Sequence, residues 1–129
     1  MSELKELLKK ADWRQEKHVP AIDVIEIKDS IVKVNVSVGK EIQHPNTTEH
    51  HISWISLYFQ PEGSKFPYEL GKFDFSSHGA SAEGPDTSTV YSEPNVDVKF
   101  KTSMPGVIYA MSYCNIHGLW ENSAELKLS

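Results

Sequence analysis

An all-β fold is predicted for this chain of 129 residues by the period of its apolar residues and by the placing of its turn residues. Valine alternates with polar residues over 32–38, and Gly39 ends the run. Alternation of this kind is typical of a strand that is buried on one face. Similar short segments recur along the chain, and the seven prolines and seven glycines lie mostly between them. We therefore expect about seven strands in an antiparallel β-sandwich or barrel of immunoglobulin-like type.

The first element is predicted to be a short amphipathic helix that begins after Ser2, a suitable N-cap residue, and ends before the polar stretch 14–17. From Ile22 onward the apolar residues follow a period of two, which indicates strands rather than helices. The predicted strands are 22–26, 32–38, 51–60, 66–75, 89–92, 96–102, 107–114 and 123–128.

Length and charge limit the classes of protein to which the chain can belong. We expect one domain over 1–129, large enough to bury roughly two-thirds of the surface of the unfolded chain. The formal net charge of −5 argues against binding to nucleic acid. The first residues lack the apolar centre of a signal peptide, and no later run reaches the length of a membrane span. We therefore expect a cytoplasmic protein without membrane contact.

The single cysteine, Cys114, is the first candidate for chemistry, because one cysteine cannot form an intrachain disulfide. His117 and Gly118 follow it in a tight turn after an apolar strand. Backbone N–H groups in such a turn can point at the sulfur and stabilise a thiolate. In isolation, Cys114 would be interpreted as a small buried side chain.

Two histidines, His44 and His50, lie at the ends of a polar loop that Pro45 stiffens and Asn46 allows to turn sharply. The loop can present both rings to one ion, although two exposed histidines in a polar turn explain it equally well. His51 follows His50 directly, and neighbouring side chains of a strand point to opposite faces. The periodicity does not choose between the two.

The segment Glu16, Lys17 and His18 brings an anion, a cation and an imidazole together before a predicted strand. Alone, it would be interpreted as an ordinary solvated charge cluster. His78 has no partner at ligand spacing and is expected to be a surface or packing residue. Trp120 is close enough in sequence to His117 to help shield a metal from water.

Together, the segments 16–20, 44–51 and 114–122 resemble the superoxide reductases of the neelaredoxin and desulfoferrodoxin group. The resemblance runs through nearly the whole chain and includes the spacing between the motifs. It implies one iron ion on an immunoglobulin-like barrel, and it chooses His50 over His51. The implied ligands are His18, His44, His50 and His117 around a plane and Cys114 on the axis. A second iron centre in a four-cysteine module is excluded by the cysteine count.

The same resemblance implies the reaction and its partners. The reaction is one-electron reduction of superoxide to hydrogen peroxide, with a rubredoxin-like protein as the electron donor and a homotetramer as the assembly. Glu16 is implied to occupy the sixth position of the oxidised iron, and Lys17 to lie beside the open position of the reduced iron. A lysine there would attract the superoxide anion and is a candidate proton donor. An axial thiolate donates electron density to the iron.

Two other classes of metal protein fit the residues less well. A blue-copper electron carrier needs two histidines, one cysteine and usually a weak axial methionine after the cysteine. All three methionines precede Cys114. Structural zinc is almost always four-coordinate, so five candidate ligands fit it poorly. A plain immunoglobulin-like interaction domain leaves the clustering of the polar motifs unexplained.

Overall fold

Residues 2–128 are described by a computed structural model in which seven strands form two antiparallel sheets. The elements are α1 (Leu4–Leu7), β1 (Pro20–Lys28), β2 (Ile31–Val38), β3 (Ile52–Pro61), β4 (Tyr68–Asp74), β5 (Asn95–Lys101), β6 (Gly106–Cys114) and β7 (Gly118–Leu126). One sheet has the strand order β1-β2-β5, and the other has the order β4-β3-β6-β7. The predicted all-β immunoglobulin-like sandwich with a short N-terminal helix is confirmed.

The core between the sheets follows from the alternation in the sequence. The valines at 32, 34 and 36 of β2 are buried, whereas Lys33 and Asn35 between them are not. Leu57 of β3 and Ile108 of β6 are buried in the same apolar cluster. β-Branched residues suit such a pleated surface, because their stiff side chains pack well against neighbouring strands.

The N-terminal helix is shorter than predicted, and the prediction of Ser2 as its N-cap is wrong. The N-cap is Glu3, which makes no side-chain capping hydrogen bond, and no residue of the helix is buried. A single helical turn gains few hydrogen bonds and needs tertiary packing to continue. Instead, the chain after the helix runs alongside β7, where the backbone of Lys9 pairs with Trp120 of that strand. No helix among the described residues is long and apolar enough to cross a membrane.

The predicted strand 89–92 is also wrong, because this segment contributes only a bridge between Tyr91 and His78. Two backbone hydrogen bonds join it to 77–79, from the Gly79 N–H to the Val90 carbonyl and from the Ser92 N–H to the Ser77 carbonyl, and this pairing is too short to form a strand. Another difference concerns β7, which begins at Gly118 rather than at 123. The strand begins at this residue because Gly118 already pairs with Cys114, the last residue of β6.

The strand register brings the polar motifs to one end of the sandwich. Pro20 pairs with Val38, so the start of β1 lies beside the end of β2. Cys114, at the end of β6, pairs with Ile52 on one side and with Gly118 on the other. The segment before β1, the loop from β2 to β3 and the turn from β6 to β7 therefore meet at this end.

Leu57→Ala is expected to lower the free energy of unfolding by about 2–5 kcal/mol, because Leu57 has 0% exposure and truncation leaves a cavity between the sheets. Urea unfolding of the metal-free protein measures the change. Ile25→Ala is the control, because Ile25 is 51% exposed on an edge strand, and a change within about 0.5 kcal/mol is expected there. Equal losses in the two variants would contradict the assignment of Leu57 to the core.

Candidate metal centre

Four of the predicted ligands form a compact group of metal-binding atoms at this end of the sandwich. One ligand atom from each of His18, His44, His50 and Cys114 lies within 4.8 Å of all the others. His18 and His44 are each 5% exposed, and Cys114 has 0% exposure. Imidazole together with a thiolate suits the transition metals rather than magnesium or calcium.

His117 completes a closed ring of imidazoles, although it is an exposed residue. Going round the ring, the centroid distances are 4.8 Å from His18 to His44, 4.9 Å to His50, 5.0 Å to His117 and 4.8 Å back to His18. His117 Nδ1 lies 3.1 Å from His18 Nε2 and 3.8 Å from Cys114 Sγ. Two nitrogens at right angles on one ion are about 3 Å apart when each metal–nitrogen distance is about 2.1 Å.

Hydrogen bonds on the outer side of two rings determine which nitrogen faces the centre. His44 Nδ1 lies 2.6 Å from the carbonyl oxygen of Pro45, to which it donates, so Nε2 carries the free lone pair. His18 Nδ1 lies 2.9 Å from Glu16 Oε1, which leaves its Nε2 in the same situation. Contacts of this kind orient the histidine ligands of metal sites.

The inner nitrogens supply the test of whether a metal fits. Nε2 of His44 and Nε2 of His50 are buried, and neither has a hydrogen-bond partner among residues 2–128. A buried polar atom without a partner costs free energy, so such atoms are rare in folded proteins. A metal ion bound by these lone pairs removes that cost. The residues therefore fit a bound metal.

Cys114 is held by the turn between β6 and β7. The backbone N–H of His117 donates to Sγ at 3.3 Å, which stabilises the anionic, metal-binding form of the sulfur. Gly118 has a φ of 85°, in the left-handed region that glycine adopts without strain. This conformation lets the chain return at once into β7, so the cysteine and the histidine stay on one side of the turn.

Burial favours the neutral form of His18, His44 and His50. It lowers the pKa of His44 from 6.5 to about 4 and also lowers the pKa of His18 and of His50. The positive charge of Lys17 is a further cause of the lowered pKa at each of these rings. Neutral imidazole is the form that binds metals, so the rings are ready for ligation near pH 7.

The structure places Glu16 and Lys17 beside the ring, but not in the group of inner atoms. Glu16 Oε1 accepts a hydrogen bond from the backbone N–H of His18 and faces its Nδ1. Lys17, which lies between Glu16 and His18 in the sequence, is half-buried. The role of Glu16 as a sixth ligand stays a prediction.

The remaining aromatic residues surround the centre. Trp120 stacks on His18, with ring centroids 4.7 Å apart and planes 11° apart, so it covers that ring rather than His117. His51 lies outside the group and stacks on His78 at 3.4 Å. Sequence spacing could not reveal this pair, because it depends on the fold of a distant loop.

Comparison with known proteins identifies the family. The sequence model described as desulfoferrodoxin matches residues 10–123. The chain belongs to the desulfoferrodoxin family. It is 58% identical over 123 residues to a putative superoxide reductase of Archaeoglobus fulgidus, covering 95% of this chain and 98% of that protein. It is 54% identical over 124 residues to the superoxide reductase of Pyrococcus furiosus, covering 96% of this chain and 99% of that protein.

Solved structures agree with the sequence relatives of this desulfoferrodoxin-family chain. The superoxide reductase (neelaredoxin) from A. fulgidus in the reduced form has a TM-score of 0.92 and 58% identity, covering 95% of this chain and 99% of that chain. The resemblance to the superoxide reductases is therefore confirmed. Iron is the cofactor, in agreement with the family and the donor group, and the blue-copper alternative is not supported.

The adjacent histidines 50 and 51 provide a matched test of the site. His50→Asn is expected to lower the iron content well below one per chain, because it removes one inner nitrogen, whereas His51→Asn is expected to retain iron. Elemental analysis of the two purified variants measures this. Equal iron content in the two variants would contradict the placement of His50 in the site.

The metal-free protein is expected to lose stability as the pH falls from about 6.5 towards 4. The pKa of His44 is about 4 in the folded protein, against 6.5 for an unperturbed histidine, so the unfolded chain binds more protons in this window. Stability is complete above pH 6.5, and about 3 kcal/mol is lost by pH 4. Urea unfolding at several pH values measures the loss.

His44→Gln is the control for this pH dependence, since it removes the titrating ring. A smaller loss is expected in the variant. Identical pH profiles in the two metal-free proteins would show that His44 is not responsible.

Proposed function

We propose that this chain reduces superoxide to hydrogen peroxide, taking one electron from an external donor and two protons for each superoxide. The closed ring of four imidazoles beside one buried cysteine is the observation that carries the proposal. The family relationship supports it, because relatives with the name superoxide reductase match over nearly their whole length.

The five residues of the site have distinct roles in this proposal. His18, His44 and His50 would hold iron through Nε2, His117 through Nδ1 and Cys114 through Sγ. When bound, iron supplies the one-electron chemistry by alternating between its ferrous and ferric states. Four neutral imidazoles and one thiolate contribute a single negative charge. A divalent ion held there retains positive charge, which attracts an anionic substrate.

Lys17 is proposed to direct superoxide to the site. Its charge acts on His18, His44 and His50, so the same field reaches the space enclosed by the rings. A local cation matters on a chain with a net charge of −5, because the overall field repels an anion. Lys17 is also proposed as a source of one of the two protons.

Glu16 is proposed to alternate between two positions. Its carboxylate now faces His18 Nδ1, where it favours the tautomer that presents Nε2 to the centre. In the oxidised protein, the carboxylate would instead serve as a sixth ligand, and its negative charge would offset the additional positive charge of the site. Its location beside a ligand of the site supports this exchange.

We also propose that residues 1–129 act as one iron-binding domain in the cytoplasm, with a rubredoxin-like protein as the donor. The family match over 10–123 and the absence of any cysteine pair support this. The exposed edge of His117 offers an electron a short route into the site. The chain is further proposed to form a homotetramer, for which exposed apolar residues such as Ile25 and Ile31 leave contact surface.

A superoxide assay that follows both peroxide and oxygen tests the proposed reaction. The reduced, iron-loaded protein is expected to form one peroxide for each superoxide consumed and to release no oxygen. Release of one oxygen for every two superoxide ions would show dismutation instead and would overturn the proposal. Elemental analysis of the same sample establishes that iron, rather than copper or zinc, is present.

Lys17→Ala is expected to lower the second-order rate constant for superoxide by about tenfold at low salt and to weaken its dependence on ionic strength. Rapid-mixing or pulse-radiolysis kinetics measure both quantities. Lys5→Ala, an equal change of net charge in the exposed helix, is expected to leave them nearly unchanged. Matching rate constants in the two variants would remove Lys17 from the steering role.

A further inference from the structure

Asn115, the residue after Cys114, forms an unusual set of contacts with the loop that carries His50. Its side-chain Nδ2 donates to the backbone carbonyl of Glu49 at 2.8 Å. Its Oδ1 accepts from the backbone N–H of His51, also at 2.8 Å. Its own backbone N–H donates to the carbonyl of His51 at 3.2 Å. The side-chain amide therefore bridges the residues immediately before and after His50.

These contacts continue the strand pairing beyond its end. The ladder between β3 and β6 reaches the pair formed by Ile52 and Cys114. The next backbone hydrogen bond is the one between Asn115 and His51, and the Asn115 amide then takes the place of a further peptide group. Only an amide side chain presents a donor and an acceptor side by side in this way. A carboxylate can make the contact with His51 but not the contact with Glu49.

The bridge matters because the His50 ring has no hydrogen bonds of its own. His18 and His44 are each oriented by a partner at Nδ1. The hydrogen bonds between residues 2–128 include none to either ring nitrogen of His50, and its Nε2 is buried. The direction of this ring therefore depends on the position of its backbone. Thr47 holds that backbone directly, through hydrogen bonds with the N–H and the carbonyl of His50, and Asn115 holds the residue on either side of it.

We propose that Asn115 is a positioning residue that fixes His50 relative to Cys114 and so sets the ligand geometry of the metal centre. This inference rests on the proposed five-ligand site. The turn after Cys114 would then have two roles, because it contains His117 and also aligns His50 of the loop between β2 and β3.

Asn115→Ala and Asn115→Asp test the inference in the iron-loaded protein. Three quantities are measured, namely the rate of iron release to a chelator, the energy of the thiolate-to-iron absorption band and the reduction potential. Asn115→Ala is expected to release iron roughly tenfold to a hundredfold faster and to shift the band and the potential. Asn115→Asp keeps one of the two side-chain contacts and is expected to show a smaller change in the release rate.

Asn35→Ala is the matched control, because its amide also bridges neighbouring groups, but in the β1-β2-β5 sheet, at Asn95 and Asp97. It is expected to match the native protein in all three quantities. Thermal unfolding of the metal-free proteins separates positioning from general stability, because a purely structural role of Asn115 would lower the unfolding temperature without shifting the absorption band.

Native values of release rate, band energy and potential in both Asn115 variants would overturn the inference while leaving the proposed reaction intact. Native protein that binds iron but fails to reduce superoxide would overturn the proposed reaction and not the positioning role. The two failures are thus distinguishable in one set of proteins.

Discussion

The whole arrangement depends on imidazole lone pairs that have been removed from water and aimed at one point. His44 and His50 each hold a buried nitrogen that no group among residues 2–128 satisfies. Such atoms make the metal-free state costly, and burial is also what keeps the rings unprotonated. The same desolvation therefore weakens the empty site and prepares it for a cation.

The sandwich holds these rings in place with a frame of paired strands. Three chain segments reach the centre from the ends of strands whose register is fixed by the buried valine, leucine and isoleucine positions. Backbone groups align two of the donors, through the Pro45 carbonyl at His44 and the N–H of His117 at the sulfur. Backbone partners have little rotational freedom, so the donor set varies less than one supported by long side chains.

The sequence allowed prediction of the sheets and of the residues that surround the centre, but not of every connection. Period-two alternation in 32–38 identified β2 well, because one face of that strand is buried. The segment 89–92 also contains β-branched and aromatic residues, yet its pairing is limited to the bridge between Tyr91 and His78. The N-terminal leucines suggested a longer helix, but no core surface is available to them.

The choice between His50 and His51 shows most clearly where prediction from the sequence pattern fails. Both residues precede β3, so the alternation of the strand does not apply to them. Only the resemblance to a family indicated that His50 is the ligand, and the stacking of His51 on His78 agrees with this prediction. The bridge made by Asn115 had no sequence signal either, since hydrogen bonds to backbone groups leave no pattern in the partner residues.

The complete enclosure of Cys114 has a consequence for the lifetime of the protein. Hydrogen peroxide converts accessible thiolates stepwise into sulfenic, sulfinic and sulfonic acids, the last of which is irreversible. A catalyst that makes this oxidant beside its own sulfur would destroy itself if the two could meet. With 0% of Cys114 exposed, peroxide in the surrounding solution cannot reach the sulfur. The burial of Cys114 therefore also protects the protein from oxidation by its own product.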